Sequence, residues 1–387
     1  MREGWTYKKL GEVCEVVTGS TPKTNIPEYW DGDYPWITPA ELKGDVFVDD
    51  TERHITEEAV AHTNVTLMPA GTVLLSSRAP IGKVAITTRE MYCNQGFKNL
   101  ICSNYINNKY LYLWLKGKTD YLNSLGRGAT FKEISKSIVE NIQIPVPPLS
   151  EQQSIVAELD KINELISLKK VQLSDLDALA QSIFYDMFGD PIENEKGWEV
   201  KKLGEVCDVR DGTHDSPQYL SESEYFLITS KNIQGDIIDY ANVNYISKED
   251  YDSINKRSYV DEGDIIMGMI GTIGKPIIVH KNNLKFCVKN VALIKFPESC
   301  LVKNVYVKAL LDNDSYKQYL LSLNKGGTQK FVALGTLRTL KCPLPPLSLQ
   351  QDFAKRVEFI EQQKAQISST IKDLETLLAS RMQYWFD

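Results

Sequence analysis

The stretch IPVPPLSEQQ (144–153) marks the start of the longest regular element that the sequence predicts. Its prolines oppose a helix, whereas Ser150 is a predicted N-cap, and no glycine or proline follows before Phe188. Apolar residues beyond it recur at alternating steps of four and three, which is the seam pattern of a coiled coil. This first seam includes Ile155, Leu159, Ile162, Ile166, Leu173 and Leu176.

The same pattern occurs again near the end of the chain. CPLPPLSLQQ (342–351) precedes a second seam, at a constant offset of 198 residues from the first. The second seam includes Phe353, Val357, Ile360, Ile367, Ile371 and Leu374. Each seam also contains one lysine, Lys169 in the first and Lys364 in the second. The sequence leaves open whether these lysines fix register and partner choice or extend from the helix edge into solvent.

The remainder of the chain is a repeat as well. GWTYKKLGEVCEV (4–16) returns as GWEVKKLGEVCDV (197–209), with ten of thirteen positions identical. Short β-branched runs such as 72–75 and 276–279 predict strands, and helices are expected over 107–125 and 303–324. A repeat this long indicates two copies of one domain and not a solenoid.

The predicted architecture is an α+β fold with a pseudo-two-fold internal repeat. Two similar mixed α/β domains are joined by two long antiparallel coiled-coil helices. The predicted boundaries are 1–145 for the first domain, 146–189 for the first helix, 190–342 for the second domain and 343–387 for the second helix. An antiparallel return of the second helix brings Trp385 and Phe386 near Gly4 and Trp5.

Composition restricts the class of protein. At 387 residues and 42% hydrophobic content, the chain predicts a globular protein of more than one domain. It contains no run of about 18 apolar residues and begins without the apolar core of a signal peptide, so we expect no membrane partner. Seven cysteines without a CxxC pair predict reduced thiols in a cytoplasmic protein. Cys14 and Cys207 occupy equivalent repeat positions and are interpreted as small buried hydrophobic residues.

No catalytic, cofactor or metal motif is complete. GMIGTIGK (268–275) resembles a phosphate loop, but Met269 stands where its first glycine belongs and Pro276 follows the lysine. A nuclease combination of Asp190, Glu199 and Lys201 lacks a counterpart in the first copy. We therefore predict no catalytic residue, no metal site and no cofactor bound by this chain.

Polar loops of the two domains are instead typical of a surface that reads DNA. Arg or Lys contacts guanine and Asn or Gln contacts adenine in the major groove, while further basic groups contact phosphate. The net charge of −7 argues mildly against nucleic acid, although an average over the chain conceals local basic patches. Candidates in the first domain are Lys23, Arg78, Asn94, Gln95, Lys98, Thr130 and Lys132. Candidates in the second are Arg210, Thr213, His214, Lys231, Asn232, Lys275, Lys289, Asn290, Thr328 and Lys330.

The whole chain resembles the specificity (S) subunit of Type I restriction–modification systems. The shared features are the GW..KKLGEV opening of each half, PxPPLSxQQ before each helix, SSRAPIG with NQGFK, and RDGTH with ITSKN and GMIGTIG. This resemblance implies two target-recognition domains, each reading one half of a bipartite asymmetric site in double-stranded DNA. It also implies that the helices set the spacer and dock two methyltransferase (M) subunits.

The resemblance further implies a non-catalytic chain whose chemistry belongs to its partners. S-adenosylmethionine is expected in the M subunits, and ATP in restriction/translocase (R) subunits that associate indirectly. Because SSRAPIGK (76–83) stands opposite GMIGTIGK, the two half-sites are predicted to differ. The alternatives are a non-catalytic protein scaffold and the DNA-reading part of an atypical restriction enzyme.

Overall fold

The computed structural model of the protein describes residues 4–78, 80–128, 132–214, 216–234, 237–269, 275–280, 283–323 and 332–386. The chain divides into two compact units. Met1–Lys170 and Ser369–Asp387 form the first unit, and Val171–Ser368 forms the second. The domain boundaries drawn from the sequence remain predictions.

The first unit alternates short strands with helices. Its strands are β1 (Thr6–Lys9), β2 (Cys14–Val17), β3 (Trp30–Ile37), β4 (Phe47–Val48), β5 (His54–Ile55), β6 (Val73–Leu75), β7 (Val84–Thr87), β8 (Tyr92–Cys93), β9 (Asn99–Cys102) and β10 (Gln143–Val146). Its helices are α1 (Leu10–Val13), α2 (Glu57–His62), α3 (Asn108–Gly117), α4 (Thr119–Ser124) and α5 (Lys136–Asn141). The long helix α6 (Leu149–Phe188) starts in this unit.

Two sheets and one two-stranded ladder organise the described part of the first unit. The larger sheet has the order β2-β9-β6-β7-β4, the smaller one has the order β5-β3-β8, and β1 pairs with β10. The helix predicted over 107–125 is present as α3 and α4, which are separated at Lys118. Asn107 caps α3, since its side chain accepts from the Tyr110 amide. The buried face of α3 packs into the same core as β6 and β7.

The second unit repeats this plan. Its strands are β11 (Glu199–Lys202), β12 (Asp208–Asp211), β13 (Tyr225–Thr229), β14 (Ile233–Gln234), β15 (Ile237–Ile238), β16 (Asn244–Tyr245), β17 (Ile265–Gly268), β18 (Ile277–Ile278), β19 (Lys285–Lys289), β20 (Val291–Lys295) and β21 (Lys341–Leu344). Its helices are α7 (Leu203–Val206), α8 (Lys248–Ser258), α9 (Asn304–Asp312), α10 (Asp314–Ser322) and α11 (Leu334–Arg338). The second long helix, α12 (Leu347–Phe386), starts here and ends in the first unit.

One sheet edge differs between the repeats. In the first unit, β4 pairs in parallel with β7 and completes the larger sheet. In the second unit, the corresponding segment β15 forms a hairpin with β14. As far as the described residues show, the equivalent sheet has the order β12-β20-β17-β18 and ends at β18.

The two long helices pack antiparallel in each unit. In the first unit, Arg381 of α12 pairs with Glu158 of α6, whereas the earlier residue Glu375 lies 3.2 Å from the ammonium of the later residue Lys170. In the second unit, the rings of Phe184 and Phe353 lie 5.8 Å apart. These contacts confirm the antiparallel coiled-coil arrangement predicted from the repeat.

The buried face of each long helix follows the heptad seam. Leu168 and Val171, which lie off the seam, are 56% and 55% exposed, whereas Leu159 is completely buried. The other buried seam residues are Ile155, Ile162, Ile166, Phe353, Ile360, Ile367 and Ile371. The half-buried ones are Leu173, Leu176, Val357 and Leu374.

Lys364, the lysine of the second seam, is ion-paired. Its ammonium is 2.7 Å from an Asp177 carboxylate oxygen and 3.1 Å from one of Glu361. Burial opposes the charge of Lys364, but the two carboxylates outweigh it and raise its pKa. The lysine therefore links α12 to α6 within the second unit, which favours the register-fixing interpretation for this position.

A fully buried glutamine in the first turn of each long helix connects that helix to its domain. Ser150, the predicted N-cap, lies inside the first turn, and the Pro148 carbonyl accepts from the Gln152 amide at 3.0 Å. The Gln152 side chain is fully buried and accepts from the Asn107 amide at 2.8 Å. Its amide group also donates to the carbonyls of Tyr105 and Pro147, at 3.0 and 2.9 Å. The PxPPLSxQQ motif therefore anchors the start of the long helix to the domain. We call this connection, made by the buried glutamine, the joint.

Gln350 makes the same three contacts in the second unit. It accepts from the Lys303 amide at 2.8 Å and donates to the carbonyls of Leu301 and Pro345 at 3.2 and 2.9 Å. It is also fully buried. Two joints of identical construction confirm that the motif repeats with its structure.

The last turn of α12 lies against the start of the chain, as predicted. The ring of Trp5 stacks on that of Trp385 with a centroid separation of 6.4 Å. The Trp385 indole donates to Glu158 at 3.1 Å, and Phe386 contacts Tyr110 edge-on. The first unit thus takes its core from both ends of the sequence.

Candidate nucleic-acid interface

In the first unit, the loop after β2 crosses closely over β8. A Cβ at Gly19 would lie 2.1 Å from the Cys93 carbonyl oxygen, so only glycine fits there. The crossing brings Thr21 against Gln95, and the hydroxyl of Thr21 donates to the amide oxygen of Gln95 at 2.5 Å. Both side chains are exposed. A hydroxyl and an amide are therefore presented side by side on the surface.

Backbone hydrogen bonds connect neighbouring loops to this crossing. The Ser77 amide donates to the Gly96 carbonyl at 2.8 Å, and Arg78 forms an antiparallel bridge with Glu133. Lys98 is only 6% exposed, and its ammonium donates to a Glu133 carboxylate oxygen at 3.2 Å. The ammonium of Lys98 therefore joins two loops inside the fold, and we do not propose Lys98 as a DNA contact.

The predicted loops of the first unit carry several basic side chains. Lys23 and Lys132 are exposed and Arg78 is half-buried, all three as part of the predicted loops. The Asn94 side chain is turned inward to its own loop, where its oxygen accepts from the amide two residues on at 2.9 Å. Arg127 is also exposed beside these loops, and the sequence reasoning missed it although it precedes the glycine of a predicted loop.

In the second unit, the loop after β12 makes the equivalent crossing. A Cβ at Gly212 would lie 2.3 Å from the Val288 carbonyl oxygen. The Thr213 amide donates to that carbonyl at 2.9 Å, and the Asn290 amide donates back to Thr213 at 3.2 Å. Asn290 adopts a positive φ of 55°, a left-handed conformation that asparagine tolerates better than most residues.

His214 is held at this crossing by two oxygen acceptors. Its Nδ1 lies 2.8 Å from the Asn290 amide oxygen and its Nε2 lies 2.9 Å from a carboxylate oxygen of Asp211. The bond to Asn290 and then the bond to Asp211 raise the pKa of His214, against burial and the positive charge of Arg257. Asp211 is 7% exposed and also pairs with Arg257. The imidazole is thus fixed in orientation and favoured in its charged form.

Two predicted contacts of the second unit are buried. Lys289 is 9% exposed, and its ammonium donates to the Ser216 hydroxyl at 2.6 Å. Asn232 is 4% exposed, and its side-chain oxygen accepts from the Thr229 amide at 3.0 Å while its nitrogen donates to the Asn242 carbonyl at 2.8 Å. Both residues hold loops together, so we do not propose them as DNA contacts.

The other predicted residues of the second unit are scattered or undescribed. Arg210 is engaged by the Asp208 carboxylate, with its Nε at 2.8 Å. Lys231 is exposed, two residues after Thr229, which is a register partner of β19. Lys275 is exposed, and no contact in the described part of the chain joins it to the crossing. Thr328 and Lys330 of this unit, and Thr130 of the first unit, lie outside the described residues.

The two crossings occupy the same place in the repeat. Thr21 and His214 each stand two residues after the close-packed glycine, and Gln95 and Asn290 each stand two residues after the strand residue that it approaches. In both units the two side chains contact each other. The backbone frame is shared, whereas one pair is hydroxyl and amide and the other is imidazole and amide.

Metal-ligating side chains and long apolar helices are the features that a metal site or a helical membrane span would require. No group of three or more His, Cys, Asp or Glu side chains among them is arranged to hold a metal ion. Cys14 and Cys207 are buried, and a neighbouring thiol followed by burial raises the pKa of each. No helix in the described ranges has both the length and the apolar composition needed to cross a membrane.

Comparison with known proteins agrees with this arrangement. Residues 2–177 and 195–376 match the family model of the Type I restriction modification DNA specificity domain. The chain is 33% identical over 378 residues to the Type I restriction enzyme MjaIX specificity subunit of Methanocaldococcus jannaschii, covering 92% of this chain and 86% of that protein. It is also 36% identical over 166 residues to the EcoR124I/EcoR124II specificity subunit of Escherichia coli, covering 41% of each.

Solved structures share the fold. A chain from a structure on complex assembly and conformational transition of the type I R-M system has a TM-score of 0.63 at 20% identity, over 99% of this chain and 97% of that one. The Type-I restriction-modification S subunit from M. genitalium has a TM-score of 0.53 at 15% identity, over 99% of this chain and 96% of that one. Since the family model matches more than half of the sequence, the chain belongs to the Type I restriction–modification DNA specificity family.

Proposed function

We propose that the two loop crossings are the surfaces with which this specificity subunit of a Type I restriction–modification system reads DNA. Each unit contacts one half of a bipartite asymmetric site. One observation carries the proposal: the same backbone frame presents Thr21 with Gln95 in one unit and His214 with Asn290 in the other. A reader with two different targets needs this combination of constant frame and variable side chains.

The chemistry of the two pairs suits base edges. Side-chain amides of glutamine and asparagine match the donor and acceptor of adenine in the major groove. Both ring nitrogens of His214 are engaged by Asn290 and Asp211, so the charged imidazole orients the Asn290 amide and adds a positive charge beside it. We propose that Lys23, Arg78, Arg127 and Lys132, which are exposed or half-buried, contact phosphates near the first pair. Because the chain carries a net charge of −7, we expect its own affinity for DNA to be weak and sensitive to salt.

The remaining parts of the function follow as proposals. The chain is non-catalytic, and it binds double-stranded DNA together with two methyltransferase subunits that dock on α6 and α12. S-adenosylmethionine and ATP belong to the methyltransferase and restriction/translocase subunits. The proposed DNA target and the free thiols favour a cytoplasmic complex. The long helices hold the units at the distance that sets the unread spacer.

The test is a genome-wide map of methylated adenines after co-expression with the neighbouring methyltransferase. We expect one bipartite motif with two different halves. In a His214→Ala, Asn290→Ala double variant, one half should relax while the other stays unchanged, since a good bidentate contact discriminates bases by about 1–3 kcal/mol. Thr21→Ala with Gln95→Ala should relax the opposite half. A stable complex without any motif would indicate a scaffold, and simultaneous change of both halves would contradict the assignment.

A second prediction concerns pH. A group whose pKa is raised keeps its proton as the pH rises past the ordinary histidine value, and then loses it at the higher pKa. Binding to the cognate duplex should therefore weaken as the pH rises through the raised pKa of His214, which lies above the ordinary histidine value of about 6.5, and His214→Gln should flatten this dependence. Fluorescence anisotropy of the assembled complex between pH 6 and 9 measures it. His280→Gln is the matched control, because His280 also pairs with a carboxylate, Glu262, but lies outside the crossing; an unaltered profile in H214Q would contradict the role.

A further inference from the structure

The described residues of the second unit line a groove whose counterpart in the first unit is filled by side chains. It has a volume of about 850 Å³ and lies between the two long helices, α9 and the edge strand β18. Phe184 and Phe353 contribute apolar surface from the helices, and Ile277 and Ile278 contribute it from the strand. The volume falls in the range of natural binding sites, about 300–1,000 Å³.

Three alanines explain why the groove is open. Ala180, Ala309 and Ala354 line it. At the equivalent positions of the repeat the first unit has Leu378, Leu113 and Val156. These larger side chains belong to or pack against the first core cluster, so the same space is filled there. The groove is therefore a property of the sequence of one unit and not of the shared fold.

Among the described residues, the outer edge of the strand at the side of the groove is unpaired. The Val279 amide donates to the Asp264 carbonyl and the Gly263 amide donates to the Val279 carbonyl, just before β17, so the amide of Ile278 faces away from β17. In the first unit the equivalent amide, that of Ile86, donates to the Val46 carbonyl at 2.8 Å. In the described part of the second unit no acceptor stands opposite Ile278. The segment that corresponds to β4 is occupied elsewhere, because β15 pairs with β14.

The first unit shows which side chains suit this place. The Phe47 ring of β4 lies 5.5 Å from the Lys109 ammonium, and Lys109 pairs with Asp160 at 2.6 Å. In the second unit the two positions on α9 and α12 are Val305 and Glu358, both in the groove wall. The acid is retained, but the lysine and the aromatic ring are missing. An occupant that supplied both would reproduce the contacts of the first unit.

The charge around the groove favours the same occupant. Its wall includes five acids, and its bases are Lys308, Lys364 and His280. Lys364 is paired with Asp177 and Glu361, His280 with Glu262, and Asp312 with Lys317, so the acidic excess of the wall rests on Glu358. The acids are Asp177, Glu262, Asp312, Glu358 and Glu361. A cationic segment is therefore the complementary partner.

We propose that this groove, which we call the β18 groove, docks an extended segment of a partner protein that adds a strand to β18. The segment runs parallel to β18, as β4 runs parallel to β7. Its aromatic side chain enters at Val305, the counterpart of Lys109, and reaches further than Phe47 does, into the space between Ala309 and Ala354 that Leu113 and Val156 fill in the first unit. A lysine or arginine beside that side chain pairs with Glu358. Because the first unit fills the equivalent space, one such segment binds per chain. This docking does not depend on the reading of DNA.

The test uses a fluorescent peptide, KDVFVK, in which residues Asp45–Val48, which include β4, are placed between two lysines. With the full chain, anisotropy should show saturable binding of one peptide per chain. Ala309→Leu and Ala354→Val each introduce the residue that the repeat carries in its first unit, and each should weaken binding at least tenfold. Glu358→Gln should weaken it about threefold, as for a partly exposed ion pair. Hydrogen exchange at the Ile278 amide should slow when the peptide binds.

Matched controls separate filling of the groove from general effects. Ala379→Leu places the same side chain on an exposed position of α12, and Glu249→Gln removes an exposed acid of α8; neither should alter binding. Thermal unfolding checks that A309L and A354V remain folded. The absence of saturable binding, a stoichiometry of two, or unchanged affinity in both filling variants would overturn the proposal.

Discussion

Replacing Gln152 with leucine is expected to destabilise the first unit by about 4 kcal/mol. The side chain is fully buried and satisfies three backbone groups: the Asn107 amide and the carbonyls of Tyr105 and Pro147. Leucine has a similar size but no polar atom, so these groups lose their partners inside the protein. Each unsatisfied buried group costs about 1–3 kcal/mol, and partial relaxation reduces the sum.

Hydrogen exchange measured by mass spectrometry locates this loss. Peptides around α3 and the start of α6 should exchange faster in Q152L, whereas peptides of the second unit should keep their protection. Gln153→Leu is the matched control because Gln153 is the adjacent residue of the same motif and is exposed. If the two variants exchanged alike, the joint described for Gln152 would have no energetic importance.

Phe353→Ala is expected to cost the second unit about 3–5 kcal/mol, the usual range for truncating a buried phenylalanine. Phe353 is 1% exposed, and its ring lies 5.8 Å from that of Phe184 and 5.2 Å from that of Phe188. Removal of the ring leaves a cavity between the two long helices of that unit. The cavity borders the β18 groove, so water enters a space between the helices that is apolar in the native protein.

Phe359→Ala provides the comparison for this variant. Phe359 lies on the same helix but is 62% exposed, so its loss should change stability by less than about 0.5 kcal/mol. Denaturant unfolding followed by exchange of second-unit peptides distinguishes the two. Equal destabilisation by both substitutions would mean that the seam residues do not carry the packing of α12.

Periodicity and repetition made much of the fold predictable. The seams of α6 and α12 give the buried face of each helix, because a spacing of four and three identifies one side of a helix without knowledge of its partner. The offset between the copies gives the antiparallel return, and with it the contact of Trp5 and Trp385. Both predictions depend on pattern alone, and both are confirmed.

The direction of single side chains was not predictable in the same way. Lys98, Asn232 and Lys289 belong to polar loops that the sequence assigns to DNA, yet all three point into the protein. A motif identifies a residue type and a loop, but burial depends on segments distant in the chain. Lys98, for example, is neutralised by Glu133 and Lys289 is bound by Ser216.

The role of glycine at the two crossings was hidden for a related reason. Gly19 and Gly212 lie in segments that the sequence reasoning treated as recognition loops. Glycine is required at both positions because the backbones of Cys93 and Val288 approach too closely for a Cβ. Those two residues are more than seventy positions away along the chain. The motif therefore contains framework residues and recognition residues together, and only the structure separates them.

The contact between the chain ends also determines when each unit can be completed during synthesis. The second unit, Val171–Ser368, is continuous in sequence, whereas the first needs Ser369–Asp387 as well. Ribosomes deliver the N-terminal domain first, and domains generally fold in that order. Here the order is reversed: the half made first must wait, with part of its apolar core uncovered, until Ser369–Asp387 have been synthesised.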